Sequence, residues 1–173
     1  ITERTRAILV VHQMGMPCDL ALLTALAERH GIAIIEDAAC AIGSQIKIGG
    51  KWDLIGKPHG TMACFSFHPR KVITTGEGGM LTTSDSDHDR KLRLWRQHAM
   101  DVPDTVRHGS PEVIFEKYLF VGFNYRMTDM QAAIGRKQLE RLPNLIARRR
   151  TVAARYSELL GSFDGLILPH EPE

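Results

Sequence analysis

Two short apolar runs, RAILVVH at residues 6–12 and IAIIE at residues 32–36, flank a segment with helical spacing. No other feature narrows the possible folds as much. Both runs are rich in β-branched residues, and the second is apolar on both faces, as in a strand of a parallel sheet covered by helices on both sides. Between them MGMPCD turns the chain, and Asp19 is placed to cap a helix reaching about His30, with Leu20, Leu23, Leu26 and Ala27 on its inner side. A β-α-β unit of this kind sets the class as α/β.

The alternation continues downstream. Residues 42–60, rich in Gly, Lys and Pro, read as a loop holding a small hairpin around residues 46–51. TMACFSF at 61–67 and residues 79–83 are strand-like, residues 85–98 are helical, and residues 100–117 lack a period and read as a long loop. Thr128 followed by Gln131 matches a capping box, so a helix is expected from Asp129 to about Arg141. Pro143 then permits a bend or a new start before a second helical stretch to Leu160.

Composition excludes several functions. The 173 residues, 43% hydrophobic and 24% charged, can bury a core as one domain. A formal charge of +2, with basic residues scattered apart from Arg148, Arg149 and Arg150 on a solvated helical face, gives no stripe for a nucleic-acid backbone. AILVV at residues 7–11 is far too short to span a membrane, and no signal peptide precedes it. Cys18, Cys40 and Cys64 have no CxxC spacing, so neither a disulfide framework nor a zinc site is indicated, and a cytoplasmic setting fits best. A start at Ile1 and a stop at Glu173, just after the strand-like GLILP, raise the expectation that both ends were cut from something longer.

Chemistry concentrates in FSFHPRKVITTGEGG, residues 65–79, which frames Lys71 between an aromatic-flanked serine and a run of threonines and glycines. Ser66 ends one strand. Asp37 directly follows IAIIE, and ligands of open parallel sheets sit beyond the carboxyl ends of the strands. Asp37 either faces such a ligand or caps the AAC turn after it. A carboxylate, a hydroxyl and an amine on one rim are the set that pyridoxal 5'-phosphate requires: a partner for the pyridine nitrogen, a donor for the phosphate and an amine for the aldehyde. TTGEGG is not a nucleotide P-loop, because its lysine precedes the glycines and the GxxxxGK[ST] order is missing. Gly76, Gly78 and Gly79 mainly let the chain turn into the strand GMLTT.

EDAACAIG (residues 36–43), CFSFHPRKVITTGEGG (64–79) and GFNYRMTDMQAAIGRKQLERL (122–142) together resemble the DegT-type sugar aminotransferases of fold-type I. The resemblance covers nearly the whole chain. It implies the central part of the large domain of a pyridoxal-phosphate-dependent transferase, a mostly parallel sheet flanked by helices, over residues 1–160, with residues 161–173 starting the small C-terminal domain. Lys71 looks like the Schiff-base lysine and proton carrier, Asp37 like the partner of the pyridine nitrogen, and Ser66 like a phosphate ligand. Asn124 resembles the asparagine that a neighbouring subunit contributes to the phosphate, which implies a homodimer with shared active sites. His68 is either a packed, hydrogen-bonded histidine or a proton relay.

The implied reaction carries an amino group from an amino-acid donor, glutamate in most of the family, to a nucleotide-linked keto-sugar. Related dehydratases replace the lysine with histidine, so Lys71 favours transamination over a dehydratase relative. Cys40 departs from the commonest pattern, which has glutamine or histidine three residues after the aspartate; a thiol is a weak donor, and Cys40 is expected to pack against the ring. The family also carries about a hundred preceding residues and a closing domain that this sequence lacks, so the competing reading is a catalytically incomplete fragment with an assembly or regulatory role.

Overall fold

Strands β1 (Ala7–Val11) and β2 (Ala33–Asp37) pair in parallel, with helix α1 (Leu20–His30) crossing between them. The structure, a computed structural model, describes residues 1–102 and 104–171, with side chains at all of these except 104, 105 and 108. Asp19 starts α1 as expected, its Oδ1 accepting the Leu22 amide at 3.1 Å. Gly31 ends the helix at φ 61°, a left-handed conformation that needs no Cβ. Leu20 and Ala27 are buried with Val10, Ile34 and Ala63 in the main core. Full burial of Leu20 alone is worth about 2 kcal/mol.

The hairpin is longer than its sequence signal: β3 (Gln45–Ile48) and β4 (Lys51–Leu54) pair in antiparallel register across Gly49 and Gly50, both at positive φ. That two-residue turn matches the twist of the strands it joins. β5 (Met62–Ser66) then joins β2 in parallel, and β6 (Gly79–Thr82) joins β5 antiparallel, giving the order β1-β2-β5-β6. The reversal into β6 passes Gly76 at φ 82°, and a Cβ on Gly79 would stand 2.8 Å from the Phe65 carbonyl oxygen.

Helix α2 (Ser86–Trp95) is shorter than its apolar pattern implied. Asp85 caps it, accepting the amides of Asp87 and His88, and His98 and Ala99 at positive φ take the chain out of helical geometry. The region read as a long loop contains a short helix, α3 (Asp104–Gly109), too brief to show a period. The capping box forms at Thr128 and Gln131. From it α4 (Asp129–Leu160) runs through Pro143, so the two helical stretches expected on either side of it are one helix and no new start occurs. Proline removes only its own hydrogen bond to Leu139, and the turns on either side hold the helix together.

Register sets which residues share a face of the sheet. Val11, Asp37 and Cys64 lie side by side, as do Val10, Glu36 and Ala63. Strand side chains alternate, so Asp37, Cys64 and Ser66 lie on one face while Glu36 joins the core under α1. On the Asp37 face Leu9 and Val11 are exposed.

Candidate active site

Asp37 is the last residue of β2 and sits at its carboxyl end. Its Oδ1 accepts the Ala39 amide at 3.0 Å, so the capping role is real. Oδ2 has no hydrogen-bond partner among the described residues, and one oxygen remains for a ligand. Ser66, at the matching end of β5, accepts the His68 amide on Oγ at 3.3 Å and keeps its hydroxyl hydrogen to donate.

Lys71 lies in the bend after β5, half-buried, with its amide bonded to the His68 carbonyl at 2.9 Å. Phe67 and Ile73 on either side of it are buried. Its Nζ is 3.1 Å from Sγ of Cys40, in the loop that leaves β2 three residues after Asp37. The amine is therefore tied to the loop that carries the carboxylate. A thiol is only a weak acceptor, and no carboxylate pairs with this amine among the described residues.

His68 accepts the Arg70 amide on Nδ1 at 3.3 Å, which puts its proton on Nε2, 3.8 Å from Glu77 Oε1. Asn124 stands apart from this group. Its exposed segment bridges to Gln97, and the neighbouring amides of Phe123 and Tyr125 bond to the carbonyls of Trp95 and Arg96. Nothing among the described contacts joins it to Lys71, Asp37 or Ser66. Phe123 and Tyr125 stack at 5.1 Å beside it and both are exposed.

The chain also holds a buried polar network that sequence reasoning missed. His12 and Glu36 are 1% and 0% exposed, with Nε2 of the ring 3.1 Å from Oε2. Cys18 donates its amide to Nδ1 of His12 at 3.2 Å, so Nδ1 is the acceptor and the neutral ring donates from Nε2. Oε1 of Glu36 accepts the amides of His59 and Gly60, both at 2.8 Å. Burial pushes the Glu36 carboxyl up, but the His12 hydrogen bond and the Gly60 and His59 amides outweigh it, so its pKa is lowered. A glutamate inside an otherwise apolar strand, with a histidine directly after the strand before it, was the available signal. Cys64, on the Asp37 face, is raised by burial first and then by the charges of Asp37 and Glu36.

A cavity of about 510 Å³ lies at the opposite, amino-terminal end of the strands, lined by residues such as Thr2, Arg6 and His30, and contains none of these groups. Among the described residues no cluster of His, Cys, Asp or Glu is placed to hold a metal ion. Among the described residues no helix is long and apolar enough to cross a membrane.

These features define an α/β fold with the candidate residues Asp37 and Ser66 at the carboxyl ends of parallel strands. The chain belongs to the DegT/DnrJ/EryC1/StrS aminotransferase family, whose model matches residues 1–173. It is 42% identical over 174 residues to GDP-perosamine synthase of Caulobacter vibrioides, covering 98% of this chain and 42% of that protein. Among solved structures it resembles DesV of S. venezuelae in complex with a ketimine intermediate, at 34% identity and TM-score 0.83, over 100% of this chain and 42% of that one. It also resembles the putative sugar aminotransferase Spr1654 of Streptococcus pneumoniae in its PMP form, at 25% identity and TM-score 0.85, over 100% of this chain and 47% of that one. The chain thus spans less than half the length of these relatives.

Proposed function

We propose that the protein to which this chain belongs is a pyridoxal-phosphate-dependent aminotransferase acting on a nucleotide-linked keto-sugar. The observation that carries the reading is the contact between Lys71 and the loop after Asp37, which brings to one rim an amine with no carboxylate partner and a carboxylate with one unbonded oxygen, among the described residues. The residues fit the cofactor. Asp37 offers Oδ2 to a protonated pyridine nitrogen, Ser66 offers a hydroxyl to a phosphate, and Lys71 offers its amine to an aldehyde. When bound, the cofactor would supply an electron sink for negative charge developing at the substrate carbon.

In this reading Lys71 Nζ would take and return the proton at the substrate carbon, first with an amino-acid donor such as glutamate and then with the keto-sugar. Asp37 keeps the pyridine nitrogen protonated in both stages. Cys40 holds the lysine amine by a weak contact and leaves it free to move. Sugar chemistry is supported by the family and by the name of GDP-perosamine synthase.

Asn124 completes the phosphate site of a second copy in a homodimer, a reading supported by its distance from the Lys71 group in contacts and by exposed Val121, Phe123, Tyr125 and Met130 around it. Residues 161–173 open the domain that closes the site. Three free thiols fit a cytoplasmic enzyme.

The test is release of 2-oxoglutarate by the intact protein supplied with cofactor, glutamate and a nucleotide-linked keto-sugar. Lys71→Ala should abolish release. Asp37→Asn should lower it about a thousandfold, because losing the charge that sustains the electron sink raises the barrier by roughly 4 kcal/mol. Near-normal turnover in the Asp37 variant would reduce that residue to a turn cap.

A further inference from the structure

We propose that the buried His12–Glu36 pair is a positioning device for Asp37, an inference that rests on the reading of Asp37 as the pyridine-nitrogen partner. Stability alone does not account for the pair. The carboxyl of Glu36 has a lowered pKa, and both it and the His12 ring are buried under α1 beside Val10, Ile34 and Ala63, where apolar side chains would pack without desolvating a charge.

What the network does accomplish is to fix the end of β2. The donors to Glu36 come from two other segments: His12, just after β1, and the His59 and Gly60 amides, just before β5. His12 also donates its own amide to the Asp37 carbonyl at 3.0 Å, and Ala38 donates to the Cys64 carbonyl at 2.9 Å. Residues 36–38 are thereby held from both neighbouring strands and from the core. Gly60 is part of the arrangement, since a Cβ there would stand 2.8 Å from the Ile34 carbonyl oxygen and push the amides off Glu36.

Asp37 leaves the strand on the opposite face, with one oxygen tied to Ala39 and the other free. The direction of that free oxygen follows from the backbone the network holds. Glu36 also places a second negative charge one residue away, which favours a cation beside Asp37 over a neutral ring; Cys18 and Cys64 are the other titratable side chains that feel this charge.

The test compares His12→Leu, His12→Gln and Asp37→Asn in the intact protein. Leucine fills the space but donates nothing; glutamine keeps a donor for Glu36 and an acceptor for Cys18. Two quantities are read: cofactor affinity by equilibrium dialysis, and the ¹⁵N signal of pyridine-labelled pyridoxal phosphate. His12→Leu should weaken affinity by about tenfold or more, the size usual for outer-shell partners, and move the signal toward the unprotonated position. His12→Gln should keep both near wild type.

If His12→Leu matches wild type while Asp37→Asn moves the signal, the positioning role is overturned; equal losses in both His12 variants would do the same. If Asp37→Asn leaves the signal unmoved, the reading of Asp37 itself fails. Should His12→Leu not fold, His12→Met carries the same expectation. In the cofactor-free protein, the His12 ring nitrogens should report an Nε2–H neutral tautomer at pH 7, and a charged ring would contradict the mechanism.

Discussion

Replacing Glu36 by glutamine keeps size and shape but turns a triply satisfied acceptor into a conflict. The glutamine carbonyl can still take the His59 and Gly60 amides, now as a neutral acceptor. Its NH₂ then faces the Nε2–H of His12. The ring can relieve this only by moving its proton to Nδ1, where it meets the Cys18 amide instead. Either way one buried donor is unpaired, at about 1–3 kcal/mol, and two charge-assisted bonds become neutral at about 1 kcal/mol each. We expect Glu36→Gln to lose about 4 kcal/mol of unfolding free energy at pH 7, read by urea denaturation of the cofactor-free intact protein. The folded-state pKa of Glu36 is lowered, so its contribution is complete above the unfolded value of about 4.3 and is lost as pH falls through the folded value. The gap between wild type and variant should be flat from pH 8 to about 5 and close as pH falls below about 4.3. A difference under about 1 kcal/mol at pH 7, or one that widens in acid, would refute the reasoning.

Further predictions concern assembly, thiols and α4. Mixing the separately inactive Lys71→Ala and Asn124→Ala proteins should restore part of the activity, because one site of a mixed dimer carries both native residues; no recovery, with both variants dimeric, would count against a shared site. A disulfide reagent at pH 7 should label exposed Cys40 well ahead of Cys18 and Cys64, whose thiols burial pushes up, and bound cofactor should slow the Cys40 reaction. Pro143→Ala should stabilise the protein by about 1–3 kcal/mol, since Pro143 is exposed inside a continuous helix; a loss of stability would show that the proline serves packing there.

Local chemistry was legible where one segment suffices to specify it. Asp19 as a cap, the Thr128–Gln131 box and the β-α-β unit needed nothing beyond spacing, and the small hairpin expected around residues 46–51 is present. Pro143 misled because a single lost hydrogen bond does not outweigh the intact turns around it. His98 and Ala99 gave no warning, since neither residue type favours the positive φ that ends α2, and the bonds fixing it come from Leu94 and Phe123. The same holds for the site. Asp37, Ser66 and Lys71 were singled out as candidates from strand ends and a motif, whereas the Cys40 contact requires two loops 31 positions apart to meet. Glu36 read as part of an apolar strand because its donors, the His59 and Gly60 amides, have no side-chain signature at all.

Borohydride reduction of the intact protein loaded with pyridoxal phosphate, followed by peptide mass spectrometry, tests the central claim most directly. The account predicts a stable cofactor adduct on the peptide containing Lys71, absent in Lys71→Ala. An adduct on another lysine, such as Lys57 beside Asp53, or no adduct in a protein that binds the cofactor, would contradict it.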